Sequence, residues 1–380
     1  MQTTKKILIA CDSSKSLIDF RGKLIEEMAK IHEVSVFSPV ITRPDVREKL
    51  KSLNVTVYEN HLDGSNVSML SDLRYIIQLF KLLWKLRPDV FFPYTFKPII
   101  YGTVLAKLCG VKCIAPMLTG LGYNFTPQKK KTLINRVTAK LLRFSLRSHL
   151  RLRIIFQNRD DYLTLLREKV LRGKHKIFIV NGSGVDLDHY QYTPADTNDH
   201  TFLMISRLIN AKGVLEYYEA ARILKARYPW VKFRLIGSYD KNIDSISKEL
   251  FDEIKYGQII QFNGEVEDVR PFIKASSVVV LPSYYGEGVP RSLLEAMAMG
   301  RAIITCNSVG CKETVNMNEK PNGFLVPVKN VAELVARMEY FITNPASVST
   351  YGLNSLALAS KKFNVHLINK QMMKIMQLNA

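Results

Sequence analysis

Residues 278–300 read VVVLPSYYGEGVPRSLLEAMAMG. Val278–Leu281 is a short aliphatic, mostly β-branched run closed by Pro282 and Ser283, the signature of a buried strand. A loop with Gly286 and Gly288 follows. Pro290 suits the first turn of a helix, where its fixed φ fits and its missing N–H costs nothing. Leu293, Leu294, Ala296 and Met297 then carry a helical pattern to Gly300, a good stop. This strand–loop–helix unit sets Glu287 at the carboxyl end of the strand and Glu295 about a turn into the helix. The helix N-terminus between them suits a phosphate. Two solvated carboxylates flanking an ordinary helix start fit the spacing equally well.

The same alternation extends in both directions. Lys5–Ala10, Glu33–Ser38, Asn54–Glu59, Asp89–Tyr94, Val111–Ala115, Arg153–Gln157 and Lys176–Val180 read as buried strands in the first half. Thr201–Ile205, Val231–Ile236, Ile259–Phe262, Ala302–Thr305 and Gly323–Val326 join Val278–Leu281 in the second. Helical periodicity fills the gaps. Strands alternating with helices predict an α/β chain with doubly wound parallel sheets covered on both faces. Asp186 to His200 is polar, contains Pro194, and reads as a linker. The chain of 380 residues therefore divides into domains at 1–188 and 189–359, with ligands expected outside the carboxyl ends of the strands.

Composition narrows the partners. Lys and Arg number 54 against 34 Asp and Glu, a net charge of +20. Residues 1–180 carry 32 basic and 14 acidic side chains, so nearly all the excess lies in the first half. That half is expected to meet something anionic: nucleic acid, a membrane surface or a phosphorylated substrate. No apolar stretch reaches the roughly 18 residues of a spanning helix. Met1 to Lys6 is polar and leads into a very short apolar run, unlike a signal peptide. The five cysteines, Cys11, Cys109, Cys113, Cys306 and Cys311, are scattered and read as reduced thiols, consistent with a cytoplasmic protein. Cys109 and Cys113 lack the neighbours of a zinc site and read as core residues.

A second cluster precedes the first. Thr201–Ile205 runs into Ser206-Arg207 and then Lys212-Gly213. Two cations just past a strand end suit a diphosphate leaving group, although either alone reads more simply as a solvated loop charge.

Glu287 and Glu295, seven residues between them, with Gly288 and Pro290 inside, resemble the E-x7-E signature of family-4 retaining glycosyltransferases. Ser206-Arg207 to Lys212-Gly213 resembles that family's diphosphate loop. Asn263-Gly264-Glu265-Val266 resembles its nucleobase loop, and Asn181 to Asp186 (NGSGVD) its interdomain element. Gly310-Cys311-Lys312-Glu313 resembles the segment closing the donor site. The set, in order, is far more specific than E-x7-E alone. In the first half, Phe20-Arg21-Gly22, Thr119-Gly120-Leu121-Gly122-Tyr123 and Phe156 to Asp161 (FQNRDD) resemble bacterial transferases that extend undecaprenyl-diphosphate-linked sugars in N-glycan, O-antigen and capsule assembly.

The resemblance implies the GT-B architecture: two facing Rossmann-like domains with an interdomain cleft, and a C-terminal helix, about 360–380, crossing back to the first. It implies that Arg207 and Lys212 neutralise the departing diphosphate and that Glu287 holds donor-sugar hydroxyls. Glu295 would bind the ribose, with Ser206, Glu265, Val266, Gly288, Val289 and Pro290 completing the donor site. Arg21, Thr119, Gly120 and Gly122 would lie on the acceptor side. The substrates implied are a nucleotide sugar, with UDP expected, and a polyprenyl-diphosphate-linked acceptor. No cofactor and no metal are implied.

The pattern has departures. Many family members carry a His where Thr119-Gly120 stands here, and a Gly-Gly pair where this chain has Ser13-Ser14-Lys15-Ser16. A serine-rich loop can bind phosphate through its amides and hydroxyls, and an ordinary loop fits the same residues equally well. Asp186-Leu187-Asp188 forms a D-x-D, but its place after NGSGV argues against metal binding. The seven histidines show no ligand spacing.

From Lys129 to Arg153 there are nine Lys or Arg and no acid. If wholly helical, the segment puts Lys140, Arg143, Arg147 and Arg151 on one face, a docking face for anionic lipid on the inner side of the cytoplasmic membrane. Asp72 to Arg87 (DLRYIIQLFKLLWKLR) is a second candidate, apolar with Arg74, Lys81, Lys85 and Arg87, but its apolar side is wide enough to read as a core-packed helix. Three other functions fit parts of the sequence. Nucleic-acid binding fits the charge but finds no RNP, KH or zinc motif. A nucleotide-sugar epimerase shares the fold and needs no lipid. A silent scaffold conflicts with the complete set Glu287, Glu295, Arg207 and Lys212.

Overall fold

The computed structural model describes residues 3–62, 69–125, 133–197, 199–239 and 244–378. The chain folds as two compact units, Met1–Ser183 with Val365–Ala380, and Gly184–Asn364.

The first unit alternates β1 (Lys6–Ala10), α1 (Lys15–Asp19), α2 (Gly22–Ala29), β2 (Glu33–Pro39), α3 (Pro44–Ser52), β3 (Thr56–Asn60), α4 (Met69–Leu86) and β4 (Val90–Pro93). It continues through α5 (Thr103–Leu108), β5 (Cys113–Ile114), β6 (Met117–Leu118), α6 (Leu133–Ser145), β7 (Ile154–Phe156), α7 (Arg159–Arg167) and β8 (Ile177–Ile179). Strand order is β3-β2-β1-β4-β5 in one sheet and β6-β7-β8 in another, all parallel. Parallel bridges Tyr94–Met117 and Ile114–Leu152 link the two. The order reverses between β1 and β4, the point at which doubly wound sheets take ligands. One face of the sheet packs on Leu24, Ile25, Met28, Val46 and Leu50, the other on Leu79, Leu82, Leu83, Leu142 and Leu146. Two-residue β6 has no counterpart in the sequence reading, because Met117-Leu118 is too short to show a period.

The second unit holds β9 (Thr201–Ile205), α8 (Val214–Arg227), β10 (Lys232–Ile236), α9 (Lys248–Tyr256), β11 (Gln261–Phe262), α10 (Arg270–Lys274) and β12 (Val278–Leu281). Then come α11 (Arg291–Ala298), β13 (Ala302–Cys306), β14 (Gly323–Val326), α12 (Val331–Thr343) and α13 (Pro345–Leu358). Its six strands, ordered β11-β10-β9-β12-β13-β14, are parallel, and the order reverses between β9 and β12. At Val365 the chain returns to the first unit as α14 (Val365–Ile375), where Asn369 Nδ2 donates to Glu27 at 2.9 Å.

Four features depart from the sequence reading. The units divide at 183/184 and 364/365, whereas composition placed the divide at 188/189. Asp186 to His200 is no free linker: its described residues belong to the second unit. The fully buried Arg301 guanidinium donates to the Thr193 carbonyl at 2.6 Å and its hydroxyl at 2.8 Å. Burial moves that guanidinium down to about 10. Asp186 spends a carboxylate oxygen on the N–H groups of Asp188 and His189.

The Lys129–Arg153 segment is not one helix. Lys129 to Lys131 lie outside the described residues. α6 ends at Ser145, because buried Leu146 turns into the core and other groups take the last carbonyls. Lys107 Nζ donates to Ser145 O at 2.7 Å and Arg147 O at 2.8 Å, and His175 Nε2 meets Leu146 O at 2.8 Å. Arg147 and Arg151 therefore leave the helical face that Lys140 and Arg143 keep. Finally, α4 is only half a core helix. Tyr75, Leu79, Leu82 and Leu83 are buried, while Leu73, Ile77, Phe80 and Trp84 are exposed. Asp72 is buried and held by Lys97 at 2.8 Å and the Tyr101 hydroxyl at 2.8 Å.

Candidate active site

In the second unit the expected donor residues gather at the carboxyl ends of β9 and β12. Lys212 closes a short 3-10 turn, Asn210–Lys212, and its ammonium forms an ion pair with the Glu287 carboxylate. The Ser283 hydroxyl donates to the same carboxylate at 3.2 Å. Lys212 Nζ also lies 5.3 Å from the Tyr285 ring centre. Both members of the pair are largely buried, which strengthens their attraction beyond that of a surface pair.

Backbone contacts lock this loop. The N–H groups of Tyr284 and Tyr285 donate to Ala211 O at 2.9 and 3.0 Å. Gly213 has φ +78, and a Cβ there would collide with the Pro282 carbonyl. Gly310, also at φ +78, lies so close that a Cβ would stand 2.5 Å from Gly288 O and 2.6 Å from Glu287 O. A left-handed backbone with no room for Cβ requires glycine. These two glycines bring the Lys212 turn and the Cys311–Thr314 turn against the Glu287 loop. Ser308 Oγ adds a bond to Ser283 O at 2.7 Å.

Glu295 lies on the second turn of α11, buried. Its Oε1 accepts from the Tyr190 hydroxyl at 3.0 Å and from Arg291 Nε at 3.1 Å and Nη2 at 2.9 Å. Burial pushes the Tyr190 hydroxyl up, and nearby Glu295 adds to the rise. Neither Tyr190 nor Arg291 stood out in the sequence. Arg291 was findable as the cation four residues before Glu295 on one helix face; Tyr190 arrives from a segment read as linker. Pro290 stands one residue earlier than expected, at the N-cap of α11, with φ −64 and ψ 119. Gly288, Val289 and Pro290 are buried. Arg207 is exposed, and Ser206 Oγ donates to its carbonyl at 3.2 Å. Burial raises the Tyr285 hydroxyl, Glu287 adding to the rise and Arg207 opposing it. Glu265 is exposed and Val266 packs on the unit's core. This loop joins the β9 end through Gly237, whose N–H donates to Gly264 O at 2.8 Å.

In the first unit, the expected acceptor residues surround the β1/β4 reversal. Arg21 is buried, with its guanidinium 5.5 Å from the Tyr94 ring. The Tyr94 hydroxyl meets Ser16 Oγ at 2.9 Å. Thr119 and Gly120 follow β6, whose Met117 bridges Tyr94. Gly120 and Gly122 have φ of 124 and 53. Sequence reasoning missed two residues here. Asp12 follows β1, and burial pushes its carboxyl up to about 6 against a hydrogen bond from Thr95 and the charge of Lys97. Thr95 follows β4 at φ +71, a strained setting for a β-branched residue and one that gathers at functional sites. A lone Asp after a strand carries no motif; only the strand order puts it beside Thr95. Ser13 to Ser16 start α1, where Ser16 Oγ bonds Ser13 O.

Comparison with known proteins identifies the family. Residues 6–158 match the family model for glycosyl transferase 4-like domains, and residues 188–355 that for glycosyl transferases group 1. The chain is 24% identical over 344 residues to the N,N'-diacetylbacillosaminyl-diphospho-undecaprenol alpha-1,3-N-acetylgalactosaminyltransferase of Campylobacter jejuni, covering 86% of each chain. It is 27% identical over 293 residues to the UDP-Gal:alpha-D-GlcNAc-diphosphoundecaprenol alpha-1,3-galactosyltransferase of Escherichia coli, covering 71% of this chain and 70% of that one. In fold it resembles Anabaena HepE, solved with UDP and glucose, at TM-score 0.77 and 19% identity, covering 98% and 99% of the two chains. It also resembles sucrose-phosphate synthase from Thermosynechococcus elongatus, at TM-score 0.79 and 17% identity, covering 98% of each. With a glycosyltransferase model matching each of its two Rossmann-like units, the chain belongs to the family-4 glycosyltransferases of the GT-B fold and is a hexosyltransferase.

Proposed function

We propose that this enzyme moves a hexose or N-acetylhexosamine from UDP to a sugar carried on undecaprenyl diphosphate, with retention at the anomeric carbon. The activities of the Campylobacter and Escherichia relatives support the acceptor class and the place in surface glycan assembly. The observation that carries the reading is the Lys212–Glu287 pair on a loop locked at the strand ends.

The second unit binds the donor. Glu295 and the amides near Gly288 and Val289 receive the nucleotide and sugar, with Ser206, Glu265, Val266 and Pro290 lining the site. Glu287 holds sugar hydroxyls. Arg207 and Lys212 stabilise charge as the bond from C1 to the diphosphate oxygen breaks; such fixed charges act where charge develops. The acceptor oxygen bonds C1 on the same face, and its proton passes to the leaving phosphate oxygen. This route asks for no metal. On the first unit, Arg21, Thr119, Gly120 and Gly122 receive the acceptor, and Asp12 is placed to hold its hydroxyl. Among the described residues no helix is long and apolar enough to cross a membrane. The lipid acceptor is met from the cytoplasmic face, with Lys140 and Arg143 of α6 against anionic headgroups.

Thermal unfolding with UDP, GDP and their sugars, with and without EDTA, tests the donor side; incubation with lipid-linked acceptor sugars tests transfer. Selective stabilisation by UDP-sugars, unchanged by EDTA, is expected. Product formed without acceptor would replace transfer with epimerisation, and no response to any nucleotide would overturn the donor assignment.

A further inference from the structure

Two helices of the first unit leave unusual faces uncovered. On α4, Leu70, Leu73, Ile77, Phe80 and Trp84 recur at steps of three or four and are exposed, Trp84 by 61%. Beside this stripe runs a second, Arg74, Gln78, Lys81 and Lys85, also exposed. On α6, Leu133, Val137, Leu141 and Phe144 form an exposed apolar stripe, Phe144 by 65%. Arg136, Lys140 and Arg143 flank it. Both stripes point away from the side that buries Leu79, Leu82, Leu83 and Leu142 in one core. Both helices also pack on the π-helical turn Pro98–Gly102. They therefore share one layer of the unit and present their stripes outward together. The one acid in the two helices, Asp72, is buried. Two outward apolar stripes of nine large exposed side chains, rimmed by cations, mark an interaction site rather than scattered surface residues.

We propose that α4 and α6 together form the membrane-docking face of the enzyme, with the two apolar stripes entering the acyl boundary of an anionic bilayer and the flanking cations on headgroup phosphates. The inference deepens the lipid-acceptor reading and rests on it only for its purpose. Charge complementarity selects the occupant: paired apolar and basic stripes without an acid fit an anionic lipid surface. The Arg87 guanidinium lies 5.8 Å from the Trp84 ring, a combination of amphipathic ring and cation that settles at headgroup depth. The arrangement also changes which helix dominates. Arg147 and Arg151 lie beyond α6, whereas α4 is 18 residues long and supplies the larger apolar stripe.

The test uses the full chain carrying Trp230→Phe, so that Trp84 is the sole indole. Vesicles of phosphatidylcholine with phosphatidylglycerol should shift Trp84 emission to the blue, and brominated acyl chains should quench it. Leu73→Ser, Ile77→Ser and Phe80→Ser together remove three partly exposed apolar side chains and should weaken vesicle partitioning roughly 100-fold. Unfolding temperature should fall only slightly, since all three are exposed. UDP-sugar stabilisation should be unchanged, which separates this result from the donor assignment. Unaltered Trp84 emission or undiminished partitioning in the triple variant would overturn the proposal. So would self-association of the parent that the variant abolishes, which would give the face to a second copy of the chain.

Discussion

Adding one carbon at Gly310 is predicted to disable the enzyme from a position that carries no chemistry. The new Cβ would stand 2.5 Å from Gly288 O and 2.6 Å from Glu287 O, whereas an ordinary contact begins at 3.4 Å. The shortfall is therefore about 0.9 Å. Neither partner can swing aside, because both are backbone carbonyls of the loop that carries Glu287. The left-handed φ of +78 costs an alanine about 1–2 kcal/mol, and overpacking adds about 1–3 kcal/mol. At roughly 2–4 °C per kcal/mol for a folding unit the size of Gly184–Asn364, Gly310→Ala should lower the Tm of that unit by about 5–15 °C. Pushing the loop by nearly an ångström takes Glu287 away from Lys212, and such misplacement costs about 100-fold in turnover. Donor turnover should be measured well below the lowered Tm, so that the surviving fold is what is assayed. Gly173→Ala is the control: a Cβ at that position meets nothing within 4 Å, and the variant should behave as wild type. A Gly310→Ala enzyme with normal kcat would refute the claim that this contact positions Glu287, whatever its stability.

Lys212→Ala should abolish transfer and leave the largely buried Glu287 without its cation, costing about 1–3 kcal/mol of stability; near-normal turnover would remove Lys212 from the site. Glu287→Gln keeps the Ser283 contact but leaves the largely buried Lys212 without its anion, so it too should lose about 1–3 kcal/mol of stability, while transfer, read by kcat at saturating donor below the lowered Tm, falls at least 100-fold. Asp12 binds a proton up to about pH 6 in the fold but only to its ordinary 3.8 when unfolded. The native state thus holds more protons between those values, and stability falls as pH rises through them. Asp12→Asn should therefore gain stability over wild type between pH 4 and pH 7, on the order of 3 kcal/mol at 1.36 kcal/mol per unit, read as a Tm difference that grows with pH; a pH-independent difference would contradict the burial argument. Replacing Lys140, Arg143, Arg147 and Arg151 with Gln should make vesicle binding weaker and less salt-sensitive, measured by cosedimentation, without affecting UDP-sugar stabilisation.

Much of this molecule is local and so could be read along the chain. Val278–Leu281, Thr201–Ile205 and the other strands are aliphatic runs bounded by turn residues, and each expected strand is present within a residue or two. Local rules also set α11, which follows Pro290 and stops before Gly300. A parallel sheet must then carry Glu287 and Lys212 out at its carboxyl end, since βαβ connections leave few alternatives. That was enough to place the donor residues near one another. It was not enough to show that Glu287 pairs with Lys212 while Glu295 pairs with Arg291 and Tyr190, because charge pairing depends on distances that spacing does not encode.

Three things were decided only by packing between distant segments. Asp12 and Thr95 become neighbours because the strand order reverses between β1 and β4, bringing together residues 83 positions apart. The end of α6 is set by Lys107 and His175, which take carbonyls that helical periodicity alone would have kept inside the helix. And α4 reads from its sequence as a core helix, since an apolar residue contributes the same periodicity whichever way it faces. Only the tertiary structure shows that the sheet needs one side of α4, and that Leu73, Ile77, Phe80 and Trp84 remain in the open.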